Sequence, residues 1–157
     1  IIVVISLAWF VVYGFGTQIR ITGQSMTPEL RSEDVVLMNR LSYDLGSPKR
    51  FDVVVFERED KKPNVKRVIG LPGEVVEIKD GKVYIDGSPT PLDDSFIPEK
   101  MVGSYGPYTV PENCYFMLGD NRNDSKDSRS WKNKFVRFDQ LVGKAVVRYY
   151  PSFKWLG

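Results

Sequence analysis

The residues best suited to chemistry are one lysine and one serine, because the chain contains no histidine. A serine nucleophile needs a base, and without histidine neither a Ser-His-Asp triad nor a Cys-His pair can form. A buried, neutral lysine can take the place of the imidazole. Lys66 lies in the apolar run VKRVIGL (65–71), where desolvation would lower its pKa. Ser25, in the turn-like segment GQSMTP (23–28), is the candidate nucleophile.

Both residues also have a plainer interpretation, in which Ser25 belongs to an ordinary turn and Lys66 is the solvated lysine of an edge strand. Gly23 would let the backbone approach closely, and free N–H groups near Ser25 could hold an oxyanion. Strand alternation places Lys66 and Arg67 on opposite faces, and we expect Lys66 to face inward.

A third polar segment, GDNRNDSKDSRS (119–130), supplies possible supporting groups. It could be a solvated loop or a calcium loop, but Arg122 falls among the would-be ligands and the required glycine is missing. We expect Asp127 and Arg129 to form an ion pair that braces the site. We also expect Ser125 to accept a hydrogen bond from Lys66 and so to fix the direction of the amine.

Composition excludes several other functions. The 157 residues fit one domain with a usable core, and the net charge of +2 gives no basic surplus for binding nucleic acid. Cys114 is the single cysteine, so neither a disulfide framework nor a cysteine and histidine metal site is available. We therefore expect no metal, no cofactor and no nucleic-acid partner.

The apolar patterning predicts a mainly β chain. Alternating or β-branched runs predict strands at 18–22, 34–40, 51–57, 65–71, 108–110, 114–118 and 141–150. Asp80-Gly81 joins two further strands, 74–79 and 82–86, in a tight hairpin. Residues 87–108 are rich in Pro, Ser, Asp and Gly and are interpreted as a surface excursion. The expected fold consists of folded-over antiparallel sheets that form a partly open barrel.

The N-terminal residues 1–15 carry no charge. A bilayer span needs ~20 apolar residues, so we interpret residues 1–17 as a transmembrane helix that is truncated at its N-terminal end. Trp9 and Tyr13 fit an interfacial aromatic belt. A buried core segment and a cleavable signal peptide are the alternatives, although no small-x-small cleavage pattern follows. Residues 18–157 would then form the catalytic β domain.

Four segments in order, GQSMTPEL (23–30), PKRFDVVVF (48–56), KRVIGLPGE (66–74) and GDNRNDSKDSR (119–129), resemble the sequence boxes of bacterial type I signal peptidases. The resemblance runs over nearly the whole chain and implies the short form of that family. It implies Ser25 as nucleophile, Lys66 as general base, and Ser125 as the hydroxyl that orients the lysine. It also implies that Asp127 and Arg129 form the supporting ion pair. The oxyanion hole would be at Ser25 and Gly23.

The resemblance also implies a substrate and a location. The substrates would be signal-peptide-bearing preproteins with small residues, typically Ala, at the first and third positions before the cut. The enzyme would sit in the plasma membrane by a single span, in contact with the lipid bilayer, with its catalytic domain on the extracytoplasmic face. Shallow pockets for the small residues would be lined by Ile19, Ile21, Met26, Leu30 and Val65.

Two other functions remain open from the residues alone. A self-cleaving repressor-type protease would use the same dyad, but it would carry a DNA-binding domain rather than an apolar N-terminus. A catalytically silent, membrane-tethered binding domain would have no need of Ser25, Lys66 and Ser125 together.

Overall fold

The computed structural model describes all 157 residues and is mainly β, as predicted. It contains one helix, α1 (Ile2–Phe15), and two 3₁₀ turns, Leu41–Tyr43 and Phe138–Gln140. The strands are β1 (Thr17–Arg20), β2 (Val35–Asn39), β3 (Val53–Glu57), β4 (Pro63–Gly70), β5 (Val75–Lys79), β6 (Lys82–Ile85), β7 (Tyr105–Thr109), β8 (Cys114–Leu118), β9 (Val136–Arg137), β10 (Leu141–Tyr150) and β11 (Lys154–Trp155).

The strands form two antiparallel sheets. The larger has the order β1-β2-β10-β3-β4-β8-β9, with β11 paired to β10, and the smaller has the order β6-β5-β7. Register shifts interrupt the pairing of β10 with both β2 and β3, and bulges of this kind bend a strand. The larger sheet is not closed, because β1 and β9 each have a neighbour on one side only.

The core consists of three clusters of buried apolar side chains. One lies between the smaller sheet and β8 and is centred on Phe116 and Ile78. Another holds Phe56 and Met117 from the central strands. The third joins the turn after β1 to the strands beneath it and includes Ile21, Met26, Leu30, Val36, Val53, Ala145 and Leu156. This third cluster supports the segment that carries Ser25.

Helix α1 is shorter than the predicted segment 1–17. Gly16 ends the helix with an N–H bond of 2.8 Å to the carbonyl of Val12, and β1 already begins at Thr17. The apolar side chains of α1 are largely exposed, and only Gly14 is buried, where a Cβ would lie 2.6 Å from Leu41. No helix in the structure combines the length and the apolar character that crossing a membrane requires.

The predicted excursion 87–108 overlaps a strand, because β7 begins at Tyr105 and pairs with β5. The segment before β7 has no regular structure, but it is fastened to its neighbours. Arg67 stacks on the ring of Phe96 at 4.8 Å, and Asp94 pairs with Arg122. Phe96 and Asp94 thus fasten part of segment 87–108 to Arg67 and Arg122.

Candidate active site

The turn that carries Ser25 connects β1 to β2 and is fixed to the core at two points. The N–H of Leu30 donates to the carbonyl of Met26 at 2.9 Å, and neither side chain exposes more than 2% of its surface. These anchors leave Ser25 half-buried at the start of the turn. The Ser25 side chain thus borders a cleft while the backbone around it is held.

Lys66 lies on β4 and reaches Ser25 across the sheet. Its Nζ donates a hydrogen bond to Ser25 Oγ at 2.7 Å and another to the carbonyl oxygen of Val65 at 3.2 Å. Lys66 is only 5% exposed, so it is the inward-facing lysine that the alternation predicts. The fold therefore brings together two groups that are 41 positions apart in the sequence.

Burial lowers the pKa of Lys66 from 10.5 to about 8, against the opposing effect of the Asp127 charge. At pH 7.5 an amine with that pKa is about one-quarter neutral, whereas an ordinary lysine is roughly 0.1% neutral. The neutral amine has a lone pair, so the 2.7 Å contact can carry the serine proton to nitrogen. This is the chemistry required of a general base.

The backbone at Ser25 has a free donor, because its N–H makes no hydrogen bond within the protein. Gly23, two residues earlier, has φ +85°, a conformation that glycine adopts without strain. A Cβ built at Gly23 would have no protein atom within 4 Å, so no neighbouring protein group requires a glycine there. The positive φ, rather than crowding, accounts for the glycine.

Gly119 and Asn121 connect the loop after β8 to the Ser25 segment, and neither stood out in the sequence. The Asn121 N–H donates to the carbonyl of Ser25 at 2.9 Å, and its side-chain amide donates to that of Gln24 at 3.1 Å. A Cβ on Gly119 would collide with the Ser25 carbonyl oxygen and the Ser125 side chain. A glycine directly after a buried strand was the available signal.

Ser125 lies beside these groups but does not bond to Lys66 in this structure. Its Oγ is buried and has no hydrogen-bond partner, while Lys66 donates to Ser25 and to Val65 instead. The expected hydrogen bond between Ser125 and Lys66 is therefore absent here. The hydroxyl remains next to Gly119, within the same group of packed atoms as the Ser25 carbonyl.

Asp127 and Arg129 form a bidentate ion pair behind the loop. Arg129 Nε donates to Asp127 Oδ1 and Nη2 to Oδ2, both at 2.8 Å, and Asp127 is fully buried. Asp127 Oδ2 also accepts the N–H of Gly119 at 3.1 Å. The pair thus holds the backbone at the point where the loop meets Ser25 and Ser125.

Arg67, which alternation places on the opposite face from Lys66, is also buried and not solvated. Its Nε and Nη2 donate to the two carboxylate oxygens of Asp120 at 2.8 and 2.6 Å, and Nη1 donates to the carbonyl of Phe51 at 2.9 Å. Asp120 from the polar loop covers this face of β4, so Lys66 lies on a strand that is buried on both sides.

A cleft of about 210 Å³ borders Ser25 and Lys66. Four predicted pocket residues line it, namely Ile19, Ile21, Met26 and Val65, together with Arg20, Thr22, Pro63 and Asn64, which were not predicted. The prediction that Leu30 lines the pocket is wrong, because Leu30 has no exposed surface and belongs to the core beneath the turn. The structure contains no group of three or more acidic or cysteine side chains that could hold a metal ion.

Comparison with known proteins places the chain in a family. Residues 1–150 match the family described as signal peptidase, peptidase S26. Signal peptidase I of Bacillus caldolyticus is 38% identical over 143 residues, which cover 83% of this chain and 78% of that protein. The probable signal peptidase I-2 of Synechocystis sp. is 41% identical over 138 residues, which cover 83% of this chain and 62% of that protein.

A solved structure agrees with these relatives. The crystal structure of a signal peptidase I from Enterococcus faecalis is 32% identical, with a TM-score of 0.55 over 64% of this chain and 98% of that one. A half-buried serine in contact with a buried lysine on an open antiparallel fold fits a hydrolase of the serine class. The chain belongs to the signal peptidase family, peptidase S26, and is a serine peptidase.

Proposed function

We propose that this peptidase cuts the bond that follows the signal sequence of exported preproteins, with Ser25 as nucleophile and Lys66 as general base. The observation that carries the proposal is the 2.7 Å contact between Lys66 Nζ and Ser25 Oγ in a buried setting. The absence of histidine supports it, since no imidazole can compete for the role of base.

In the proposed reaction, neutral Lys66 accepts the Ser25 hydroxyl proton as Oγ attacks the scissile carbonyl carbon. The protonated amine then delivers that proton to the leaving amine, and an acyl ester remains on Ser25. Lys66 next takes a proton from water, and the resulting hydroxide attacks the ester to release the signal peptide. As the ester breaks, the departing Ser25 Oγ takes this proton from Lys66, so the amine is neutral again and the Ser25 hydroxyl is restored.

The negative oxygen of the tetrahedral intermediate needs donors that are not already occupied. The unbonded N–H of Ser25 is the first candidate. Gly23 is the second position of the proposed oxyanion hole, and it could contribute only through its backbone, since it has no side chain. The open space around Gly23 leaves room for the substrate there.

Ser125, Asp127 and Arg129 are proposed to support the dyad. Ser125 Oγ is an unused buried donor and acceptor that packs against Gly119 beside the Ser25 carbonyl, and it is proposed to orient the amine of Lys66. Asp127 with Arg129 would fix the loop from behind through the N–H of Gly119.

The substrate is proposed to lie extended along the cleft and to add a strand next to β1, whose outer edge is free. Alternate side chains would enter the cleft, where Ile19, Ile21, Met26 and Val65 leave room for small groups such as Ala. A preprotein with Phe immediately before the cut is therefore expected to resist cleavage.

The proposed membrane attachment uses residues 1–17, with residues 18–157 as the catalytic domain on the extracytoplasmic face of the plasma membrane. The support is the exposed apolar surface of α1, together with exposed aromatic side chains near the C-terminus, Tyr149, Tyr150, Phe153 and Trp155. Trp and Tyr side chains favour the interface between bilayer and water.

The deciding experiment is cleavage of a preprotein with an Ala-x-Ala site by the full chain in detergent, beside folded Ser25→Ala and Lys66→Ala variants. Activity in the parent that both changes abolish would support the dyad. Activity that survives either change would refute the assignment of that residue, and an inactive parent would favour a silent binding domain.

A further inference from the structure

Segment 87–108 is fastened to loop 119–130 by a buried arginine. Arg122 Nη1 donates to Asp94 Oδ2 at 2.7 Å, and Nε of the same guanidinium donates to the carbonyl of Gly119 at 3.1 Å. The Arg122 side chain is 1% exposed, so water has little access to the guanidinium, although the Asp94 side chain is 27% exposed. One side chain therefore joins Asp94 directly to the backbone next to Ser125.

Asn123 provides a second attachment between the same two segments. Its Nδ2 donates to the carbonyl of Lys100 at 3.0 Å, and its Oδ1 accepts the N–H of Val102 at 2.9 Å. Both halves of the amide are thus used on the backbone of segment 87–108. An amide held at two points in this way fixes the separation of segment 87–108 from loop 119–130.

The opposite side of loop 119–130 holds the nucleophile. The Asn121 N–H bonds the carbonyl of Ser25, and Gly119 packs against that carbonyl and against Ser125. Arg122 and Asn123 form hydrogen bonds with segment 87–108, while Asn121, directly before them, forms one with Ser25. A shift on one side of this short loop must therefore move the other side.

A cavity of about 350 Å³ lies between the two segments. Val102 and Tyr105 line it from segment 87–108, and Ser125 and Arg129 line it from the loop. If the attachments loosened, this cavity would widen at Ser125, which lines it.

We propose that Asp94, Arg122 and Asn123 are positioning residues for the peptidase reaction, because they hold loop 119–130 in the place that keeps Ser25 and Ser125 beside Lys66. The inference rests on the proposed function of the Ser25–Lys66 pair. It gives segment 87–108 a role in catalysis without contact with the substrate.

The state of Arg122 explains why Asp94 would matter. Arg122 Nη2 is buried and has no hydrogen-bond partner, so the guanidinium is already short of acceptors. Removal of Asp94 would leave a buried positive charge with a single backbone acceptor, which is strongly unfavourable. The loop would move to let water reach Arg122, and a displacement of ~1 Å at a reacting group can cost ~10²-fold in rate.

The test compares Asp94→Ala, Asp94→Asn and Asp93→Ala in the full chain in detergent. Asp94→Ala is expected to lower kcat by roughly 10- to 100-fold with KM nearly unchanged. Asp94→Asn is expected to recover most of that loss, because its amide oxygen can still accept from Arg122. Asp93→Ala is the matched control, since the Asp93 carboxylate is exposed and its hydrogen bonds are to Ser95 within the same segment. Parent kcat in Asp94→Ala would overturn the proposal.

A second readout needs no substrate. The pKa of Lys66 is measured from the pH dependence of its acetylation by acetic anhydride, read by mass spectrometry. Asp94→Ala should raise this pKa toward 10.5, because water would reach the amine, while Asp127, the charged group that acts on Lys66, is unchanged. An unshifted pKa together with an undiminished kcat would refute the positioning role.

If Asp94→Ala does not fold, Asn123→Ala replaces it and must lower kcat in the same way, and parent kcat there refutes the proposal. A parent enzyme that cuts no preprotein would refute the proposed function instead. The acetylation measurement would still decide whether Asp94 controls the surroundings of Lys66, so the two failures are distinguishable.

Discussion

The backbone N–H of Asn121 donates a hydrogen bond of 2.9 Å to the carbonyl oxygen of Ser25. This bond ties the nucleophile's backbone to the loop after β8, while Lys66 is held by the pairing of β4 with β3 and with β8. The distance from Lys66 Nζ to Ser25 Oγ therefore depends on how closely the loop approaches the turn. Gly119 sets that approach.

Replacing Gly119 by alanine is expected to damage both stability and catalysis. The new Cβ would collide with the Ser25 carbonyl and the Ser125 side chain, and backbone cannot yield as a flexible side chain can. We expect the free energy of unfolding to fall by about 1–3 kcal/mol and kcat to fall by ~10²-fold. Urea unfolding and steady-state kinetics measure the two effects.

Gly46→Ala is the control for Gly119→Ala. Gly46 is exposed, has an ordinary φ, and a Cβ there would meet only the Ser42 carbonyl at 3.4 Å. Its kinetics should match those of the parent. Equal kinetics in both glycine variants would show that the contact at Gly119 has no role in placing Ser25.

The pH dependence of kcat/KM should report the Lys66 amine. Because burial lowers its pKa to about 8, activity should rise with pH and reach half of its maximum near pH 8. Initial rates at substrate concentrations well below KM, from pH 6 to 10, measure this curve. A midpoint near 10.5 would mean that Lys66 is solvated and is not the base.

The buried, protonated amine of Lys66 should also lower the free energy of unfolding. Its folded pKa lies below the unfolded value, so the unfolded chain binds more protons between about pH 8 and 10.5, and stability rises with pH in that window. Below pH 8 the whole penalty is present. Lys66→Met should therefore raise the free energy of unfolding by about 1–3 kcal/mol at pH 6.

The gain in Lys66→Met should shrink as the pH rises from 8 to 10.5, since the parent amine becomes neutral there. Urea unfolding at pH 6 and at pH 10 compares the two proteins. Lys61→Met is the control, because Lys61 is exposed and should change stability little at either pH. A pH-independent difference would argue against a buried ammonium at position 66.

Much of the strand pattern was predictable because alternation is a local property. The structure has β8 at Cys114–Leu118 and β10 at Leu141–Tyr150, with the predicted bounds, and the hairpin of β5 and β6 turns at Asp80-Gly81. The two-residue strands β9 and β11 were missed, because so short a run shows no period and depends on its partner strand.

The supporting contacts of the site could not be predicted, because they join distant segments. Alternation separates Arg67 from Lys66, but only the fold brings Asp120 over Arg67 and so buries both faces of β4. The attachment of Asp94 to Arg122 is equally invisible in sequence, since both residues sit in polar stretches that are typical of solvated loops. Leu30 was wrongly placed in a pocket because an apolar residue near Ser25 suits a core as well as a cleft.

Asp127→Asn should lower the pKa of Lys66 below its present value. Burial lowers the pKa of Lys66 and the Asp127 charge raises it, so removal of that charge leaves the effect of burial less opposed. The pH midpoint of kcat/KM should move to lower pH than in the parent. The same change leaves the buried Arg129 guanidinium without its anion, which we expect to cost about 3–5 kcal/mol of stability.

The kinetics of Asp127→Asn are therefore measured at low temperature, after circular dichroism has established that the variant is folded. Asp139→Asn is the control, because its carboxylate pairs with Arg137 at an exposed position. A midpoint that moves to higher pH in Asp127→Asn would contradict the proposed opposition of burial and charge at Lys66.

The aromatic pair at the C-terminal end should contact the bilayer. Phe153 and Trp155 are each 68% exposed and pack edge to face, with ring centroids 5.9 Å apart. In vesicles, a variant that keeps Trp155 as its single tryptophan (Trp9→Phe, Trp131→Phe) should show blue-shifted emission and quenching by brominated lipids.

The control keeps Trp131 alone, since that ring is half-buried between Phe56 and Arg58 and should not be quenched. Equal quenching of the two tryptophans, or none at Trp155, would remove the C-terminal strand from the proposed membrane contact and leave α1 as the sole attachment.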